Sequence, residues 1–253
     1  MNGILASMIE GMDLPSKNGI GTLKENSLHA ALKALYTQPG DLVEEKVDGF
    51  VIDIVRDGLL IEIQTRHFSA IKNKLNRLLE NHKVQLVYPI ARVKWIVRQN
   101  IDGNKLSQRR SPARGRIENV FTELVRIPAL ITHPNFCLEA VLVEVEEIRV
   151  DDGRGSWRRK GWSIADTKLI AIDGVQTFCS ADDFTALLPG DLPDEFSVKD
   201  AAKQMKIPRY LAGKMLYCLR QMNAVEHCGH KGRSYLYRCI SIKPGSVPGN
   251  PGA

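Results

Sequence analysis

Leu28, Ala31, Leu32 and Leu35 recur at helical spacing, and Pro39-Gly40 stops the helix they predict. Three short β-rich runs follow, Asp41–Val47, Phe50–Val55 and Leu59–Thr65, separated by Gly49 and by Asp57-Gly58. Phe68, Ile71, Leu75, Leu78 and Leu79 then mark a second amphipathic helix, and Val84–Ile90 reads as a strand. The predicted order of helix, three strands, helix, strand suits an α/β (α+β) fold with a mixed sheet flanked by helices. Beyond residue 98 the pattern is mixed. Lys94–Arg98 leads as a strand to an Asp102-Gly103 turn, Val120 and Leu124 give helical spacing within Ile117–Leu130, and Cys137–Val150 and Trp162–Ile172 read as strands. This stretch elaborates the first domain or forms a small subdomain. Near the end, Val198, Ala201, Ala202 and Met205 carry one helical stripe. Leu211, Met215, Leu216 and Leu219 carry a second within Arg209–Met222, and Val225–Arg238 reads as a hairpin around Gly229–Gly232.

Pro- and Gly-rich punctuation divides the chain. Residues 20–175 form the first domain, 176–194 a linker ending in Leu188–Asp194, and 195–243 a second domain, with flexible ends at 1–19 and 244–253. No apolar run approaches the roughly 18 residues of a membrane span, so no membrane partner is expected. Residues 1–17 lack the basic-then-apolar order of a signal peptide. Five cysteines are too few and too scattered for a disulfide framework, which points to a reducing cytoplasm. Charge sharpens the division. The chain has 35 Lys plus Arg and 29 Asp plus Glu, a net of +6, and the last 60 residues hold 10 of these basic and 4 of these acidic side chains. The second domain thus carries the entire excess, while residues 1–193 balance to zero.

The chemistry concentrates in Phe50–Gln64. If Asp57-Gly58 is a two-residue type I′ loop, paired residue numbers sum to 115, and Asp53 faces Glu62. Alternation then puts Asp53, Glu62 and Gln64 on one face and Ile52, Ile54, Ile61 and Ile63 on the other. Two carboxylates abreast repel each other. A divalent cation such as Mg²⁺ (or Mn²⁺) would resolve the conflict with Asp53 and Glu62 as ligands, since Mg²⁺ takes one or two carboxylates and keeps waters. The plainer reading is a solvated polar strand face, its acids neutralised by neighbouring Arg and Lys. Against it, Val55 and Leu60 share the acidic face.

On these residues the chain resembles the PD-(D/E)XK, restriction-endonuclease-like, nuclease superfamily over about residues 20–98. The resemblance implies a core of helix, three strands, helix and strand. It places Asp53 as the strand Asp, Glu62 as the second carboxylate and Glu25 as the helical Glu. Gln64 stands where the family usually has a Lys that orients or activates water, and Lys72 or Lys74 on the following helix could replace it. Glu25 has a structural alternative, since Thr22-Leu-Lys-Glu25 is a capping-box pattern. Asp48 beside Gly49 reads as a turn residue, and Arg66 and His67 as exposed groups that could meet a phosphate.

Two basic segments add to the picture. Lys105–Arg116 holds Lys105, Arg109, Arg110, Arg114 and Arg116 with no acid, and Arg154–Trp162 adds Arg154, Arg158, Arg159 and Lys160 with two tryptophans, Trp157 and Trp162. Both suit a nucleic-acid backbone, or equally a solvated charged loop. The last domain resembles the winged-helix family of helix-turn-helix proteins. That resemblance implies a second helix in the major groove, carrying Arg209, Tyr210, Lys214 and Arg220, with Lys231 and Arg233 in the wing. His227, Cys228, His230, Cys218 and Cys239 match no standard zinc spacing.

The expectation is a Mg²⁺-dependent DNA endonuclease or nuclease-fold DNA-processing protein, with Asp53 and Glu62 on the metal, Gln64 holding water and Lys72 or Lys74 stabilising charge. The alternatives are a non-catalytic winged-helix DNA-binding regulator, its first domain used for binding or for a homodimer, and an RNA-processing factor.

Overall fold

The computed structural model describes residues 26–240. The chain divides into two compact units between Ser180 and Ala181. The first runs α1 (Ser27–Tyr36), β1 (Leu42–Val47), β2 (Phe50–Arg56), β3 (Leu59–Ile63), α2 (Phe68–Leu79) and β4 (Lys83–Gln99). β5 (Lys105–Arg110), a 3-10 turn (Ile117–Val120), the short α3 (Phe121–Leu124), β6 (Phe136–Asp151) and β7 (Trp162–Phe178) complete it. One seven-stranded sheet has the order β1-β2-β3-β4-β6-β7, with β5 also paired to β4. The β3–β4 and β4–β6 pairs are parallel and the others antiparallel, so the sheet is mixed.

Local chemistry sets these elements. Asn26 caps α1, its side chain accepting the Leu28 N–H at 3.1 Å. Glu25 and the Thr22–Glu25 capping pattern lie outside the described residues. Asp48-Gly49 and Asp57-Gly58 turn the two hairpins, with φ of 49° and 84° in the first and 47° and 80° in the second. Both central residues are left-handed, as a two-residue type I′ loop requires. The second turn pairs Arg56 with Leu59, Val55 with Leu60 and Ile54 with Ile61, the register read from the sequence.

The crossovers β3–α2–β4 and β4–α3–β6 advance in the same direction across the sheet. Right-handed connections then place α2 and α3 on one face. The Phe68 N–H donating to Glu123 Oε2 at 3.0 Å joins these helices, and Phe68 meets Tyr88 edge-on at 5.0 Å. Helix α1 covers the other face, where Leu28, Leu32 and Tyr36 pack with Ile54, Ile61, Ile63, Val87, Val141, Val143 and Val145.

Several boundaries differ from expectation. The runs Val84–Ile90 and Lys94–Arg98 are one strand, β4. Pro89 is tolerated inside it because β3 pairs only with Lys83–Val87 and β5 only with Trp95–Gln99. Half of the basic segment read as a loop is β5, whose six side chains are all exposed. The 117–130 stretch holds only the 3-10 turn and four-residue α3. Residues 176–178 close β7, and Ala181–Thr185 form a helix, α4, with Phe184 buried. Two of the five cysteines are bonded: Leu138 pairs with Phe178, which brings Cys137 and Cys179 to a Cα separation of 4.3 Å and a disulfide. The sequence reading had no such crosslink, because the partners lie 42 residues apart.

The second unit continues from α4 through β8 (Phe196–Ser197), α5 (Val198–Met205), α6 (Arg209–Gln221), β9 (Val225–Lys231) and β10 (Ser234–Cys239). Ser197 and Asp200 form a reciprocal capping box at the start of α5. Lys206, left-handed at φ 53°, ends that helix, and Ile207-Pro208 leads into α6. The strands pair antiparallel in the order β8-β10-β9. Among the described residues no helix is long and apolar enough to cross a membrane.

Candidate functional site

The β2 strand is irregular at one residue. The β1–β2 ladder pairs Val43 with Ile54 and Glu45 with Ile52 but skips Glu44 and Asp53, and the β2–β3 ladder stops at Ile54. Glu44 is left-handed there, at φ 56°. Asp53 instead uses its side chain: Oδ2 accepts the Ile63 N–H at 2.8 Å and lies 3.2 Å from His29 Nε2. A carboxylate only accepts, so Nε2 is the ring nitrogen carrying hydrogen. Lys33, one turn beyond His29 on α1, donates to Glu44 Oε1 at 2.7 Å. Burial opposes ionisation of Asp53. The His29 and Ile63 hydrogen bonds and the charges of His29 and Lys33 outweigh it, holding the carboxyl below its ordinary range.

Glu62 has the opposite balance. It lies level with Leu86 on β4, on the face opposite Ile63 and Val87. Lys74 reaches down from α2, donating to Glu62 Oε1 at 2.6 Å and to the Val51 carbonyl at 2.6 Å. Among the described residues, Oε2 is buried without a hydrogen-bond partner. Burial raises the Glu62 pKa; Lys74 and the Asp53 backbone N–H oppose it, while the negative charge of Asp53 adds to the rise. An unsatisfied buried acceptor costs about 1–3 kcal/mol, more when charged.

The two carboxylates are therefore electrostatic neighbours fed from different helices, Asp53 by α1 and Glu62 by α2. Of the two candidate lysines, Lys74 joins the pair and Lys72 is exposed on α2. Gln64 directs its amide N–H to the Arg66 carbonyl, so its carbonyl oxygen is the end left for another partner. His67, left-handed at φ 61°, stands before the first residue of α2. Asp48 sits at its turn, 2.9 Å from His82. Among the described residues no group of three or more His, Cys, Asp or Glu is arranged around a common metal position. His29 and Lys33 were missed in the sequence. Their one signal was a histidine and a lysine four residues apart, each next to a residue of the apolar stripe Leu28 and Leu32.

The basic segment 105–116 runs along the same edge of β4 as β3. Gln64 N–H donates to the Val87 carbonyl, Gly115 N–H to Ala91 and Ser111 N–H to Lys94. Four strand residues span roughly 13 Å, so the loop follows the end of β3 closely. Gly115 is forced: a Cβ there would come within 2.5 Å of the Ala91 carbonyl oxygen. Arg109, Arg110 and Arg114 are exposed, while Arg116 grips Glu118 with two hydrogen bonds of 2.8 and 3.1 Å. Arg158 stands over the Trp157 ring, and Arg159 donates to the Trp162 carbonyl.

In the second unit Arg209 and Tyr210 open α6, with Lys231 and Arg233 at the hairpin tip. Arg209, Tyr210 and Arg233 line a groove of about 410 Å³ with Val198, Lys199, Ser234 and Tyr235. Three cations and no acid face it. Lys199 escaped the sequence reading because only the fold brings α5 to this groove. Lys214 is half-buried on α6, and Arg220 lies 3.3 Å from His227 Nδ1.

A protein of Treponema pallidum (strain Nichols), described as uncharacterized, is 31% identical over 226 residues, covering 87% of each chain. No solved structure matches. Residues 26–179, which hold the whole sheet and both carboxylates, match the sequence model of the family described as a domain of unknown function, DUF8091, and the chain belongs to that family.

Proposed function

We propose that the first unit is a metal-dependent nuclease of the PD-(D/E)XK type and that the second is a winged-helix module that holds DNA. One observation carries the reading: Glu62 keeps a buried, unpartnered oxygen beside Asp53 and Lys74. Buried acceptors without a partner are uncommon in folded proteins, and a bound cation would complete this one.

Asp53 and Glu62 would hold Mg²⁺ or Mn²⁺, which when bound polarises a phosphoryl oxygen and lowers the pKa of water. The Gln64 carbonyl accepts from the attacking water and orients it. Lys74, paired with Glu62, places positive charge where the phosphodiester gains negative charge in the transition state. His29 and the Ile63 N–H fix the Asp53 carboxylate. Arg109, Arg110 and Arg114 lie along the adjoining sheet edge and suit backbone phosphates. In the second unit the turn between α5 and α6, with α6 and the β9–β10 hairpin, supports a helix-turn-helix reading with Arg209, Tyr210, Lys214 and Arg220 toward DNA and Lys231 and Arg233 in the wing.

The test is incubation of the full chain with plasmid and Mg²⁺ or Mn²⁺ beside Asp53→Ala and Glu62→Ala. Cleavage by the parent and by neither variant is the expected result. Equal DNA retention with no cleavage under either metal overturns it. That outcome would favour a non-catalytic DNA-binding regulator, a reading supported by Gln64 in place of lysine and by the full use of Lys74 in holding Glu62 and Val51. Parallel RNA substrates separate DNA processing from RNA processing.

A further inference from the structure

The loop between β6 and β7 spends much structure on presenting one side chain. Trp157 is 82% exposed, the highest fraction for any large hydrophobic among the described residues. The loop is tightly built. Arg159 N–H donates to the Ser156 carbonyl at 2.9 Å, Lys160 N–H to Trp157 at 3.0 Å and Gly155 N–H to Gly161 at 2.8 Å. A Cβ at Gly155 would fall 1.9 Å from the Trp162 carbonyl oxygen, so no other residue fits there. Asp152 is used inside the loop, accepting the Arg154 N–H and the Ser163 hydroxyl.

The surroundings are cationic. Arg158, Arg159 and Lys160 make no ion pair with any described residue, while Arg154 lies close enough to Asp152 to help hold its carboxyl below the ordinary range. Arg158 lies 5.5 Å from the Trp157 centroid and Arg98 4.7 Å from that of Trp162. Arg98 and Arg109 project from the same sheet face, since Arg98 pairs with Ser107 and Ile96 with Arg109. A rigid, open indole backed by a guanidinium, among unpaired cations, matches a base with its flanking phosphates.

We infer that this loop is a stacking site for an unpaired base of single-stranded nucleic acid. A duplex buries its base faces, so an indole on a protruding loop gains nothing from it, whereas every unpaired base offers a π-face. The inference rests on the nucleic-acid reading above for its class of ligand, and does not depend on catalysis.

The test uses the full chain and its tryptophan fluorescence, titrated with oligo-dT at low salt. Quenching is expected, with most of it absent in Trp157→Ala and an affinity about tenfold weaker in that variant. Trp157→Phe should recover most of the affinity, which an unfolded variant would not. Undiminished oligo-dT binding by Trp157→Ala, with duplex binding intact, overturns the stacking site and leaves the nuclease reading standing. Failure of the parent to bind oligo-dT, duplex or RNA overturns both. A blue shift with phosphatidylserine vesicles and no response to oligo-dT also overturns the inference, by assigning the loop to a lipid surface.

Discussion

Two carboxylates on neighbouring strands meet opposite treatment. On the α1 side, Asp53 receives a backbone N–H, an imidazole N–H and the field of Lys33, and stays ionised more readily than a free aspartate. On the α2 side, Glu62 is deeper, has one cation for two oxygens, and is harder to ionise than a free glutamate. The residue type does not decide which acid is comfortable; each helix brings one direct donor, and the balance is set by depth of burial and by the Ile63 N–H and Lys33 charge that only Asp53 receives. Pairs whose environments separate their acidities in this way are a recurrent feature of catalytic sites.

The contrast can be broken most severely at Lys74. Lys74→Met strips the cation from a buried carboxylate, and should lower unfolding stability at pH 7 by about 3–5 kcal/mol in urea titrations. Adding Glu62→Leu to it should restore most of that loss; a double variant as unstable as the single would refute the pairing. Next comes Asp53→Asn, expected to cost about 2 kcal/mol through its charge-assisted bonds. Because Asp53 is lowered in the folded state, its contribution is present above the unfolded carboxylate pKa of about 3.9 and disappears as pH falls through the lower folded value.

Glu62 should show the reverse sign. Its raised pKa means that the fold loses stability as pH climbs from the unfolded value of about 4.3 through the folded one, and Glu62→Gln should flatten that decline. A urea series from about pH 2 to 8 distinguishes the two slopes, that of Asp53 below the unfolded carboxylate value and that of Glu62 above it. Millimolar Mg²⁺ should relieve the same penalty, raising the melting temperature by a few degrees in the parent but not in Glu62→Gln, as a gain of about 1 kcal/mol from ligand linkage. A parent that melts identically with and without Mg²⁺ and Mn²⁺ would count against a metal between these acids. The smallest effect is expected at Arg110→Ala, within about 0.5 kcal/mol in stability because the side chain is exposed on β5.

The hairpin was readable in the sequence because Asp57-Gly58 is a local signal, and a two-residue loop fixes the register without help from the rest of the chain. The facing acid pair did not follow from that register: the ladder stops where Ile54 pairs with Ile61, and Asp53 bonds toward α1 while Glu62 bonds toward α2. Nor did their partners, since His29, Lys33 and Lys74 arrive through helix packing onto opposite faces of the sheet. The bend at Asp53 was also hidden, because an alternating pattern assumes an unbroken strand, whereas here a side chain takes the Ile63 N–H. β5 was unreadable for a related reason. Its residues Lys105–Arg110 bury nothing, and only the open upper edge of β4 makes them a strand. In the second unit the capping box and turn are local and were legible, while the groove containing Lys199 joins residues from α5, α6 and the hairpin.

The Cys137–Cys179 crosslink has a mechanical meaning. β7 is the last strand of the sheet, and the chain leaves it at Cys179 for the second unit. Tension applied through that exit would otherwise peel β7 from its end, one hydrogen bond at a time. With the bond in place the pull passes at once to β6, an interior strand held on both sides. The oxidised chain resists as a seam in shear, and the reduced chain would open like a zip.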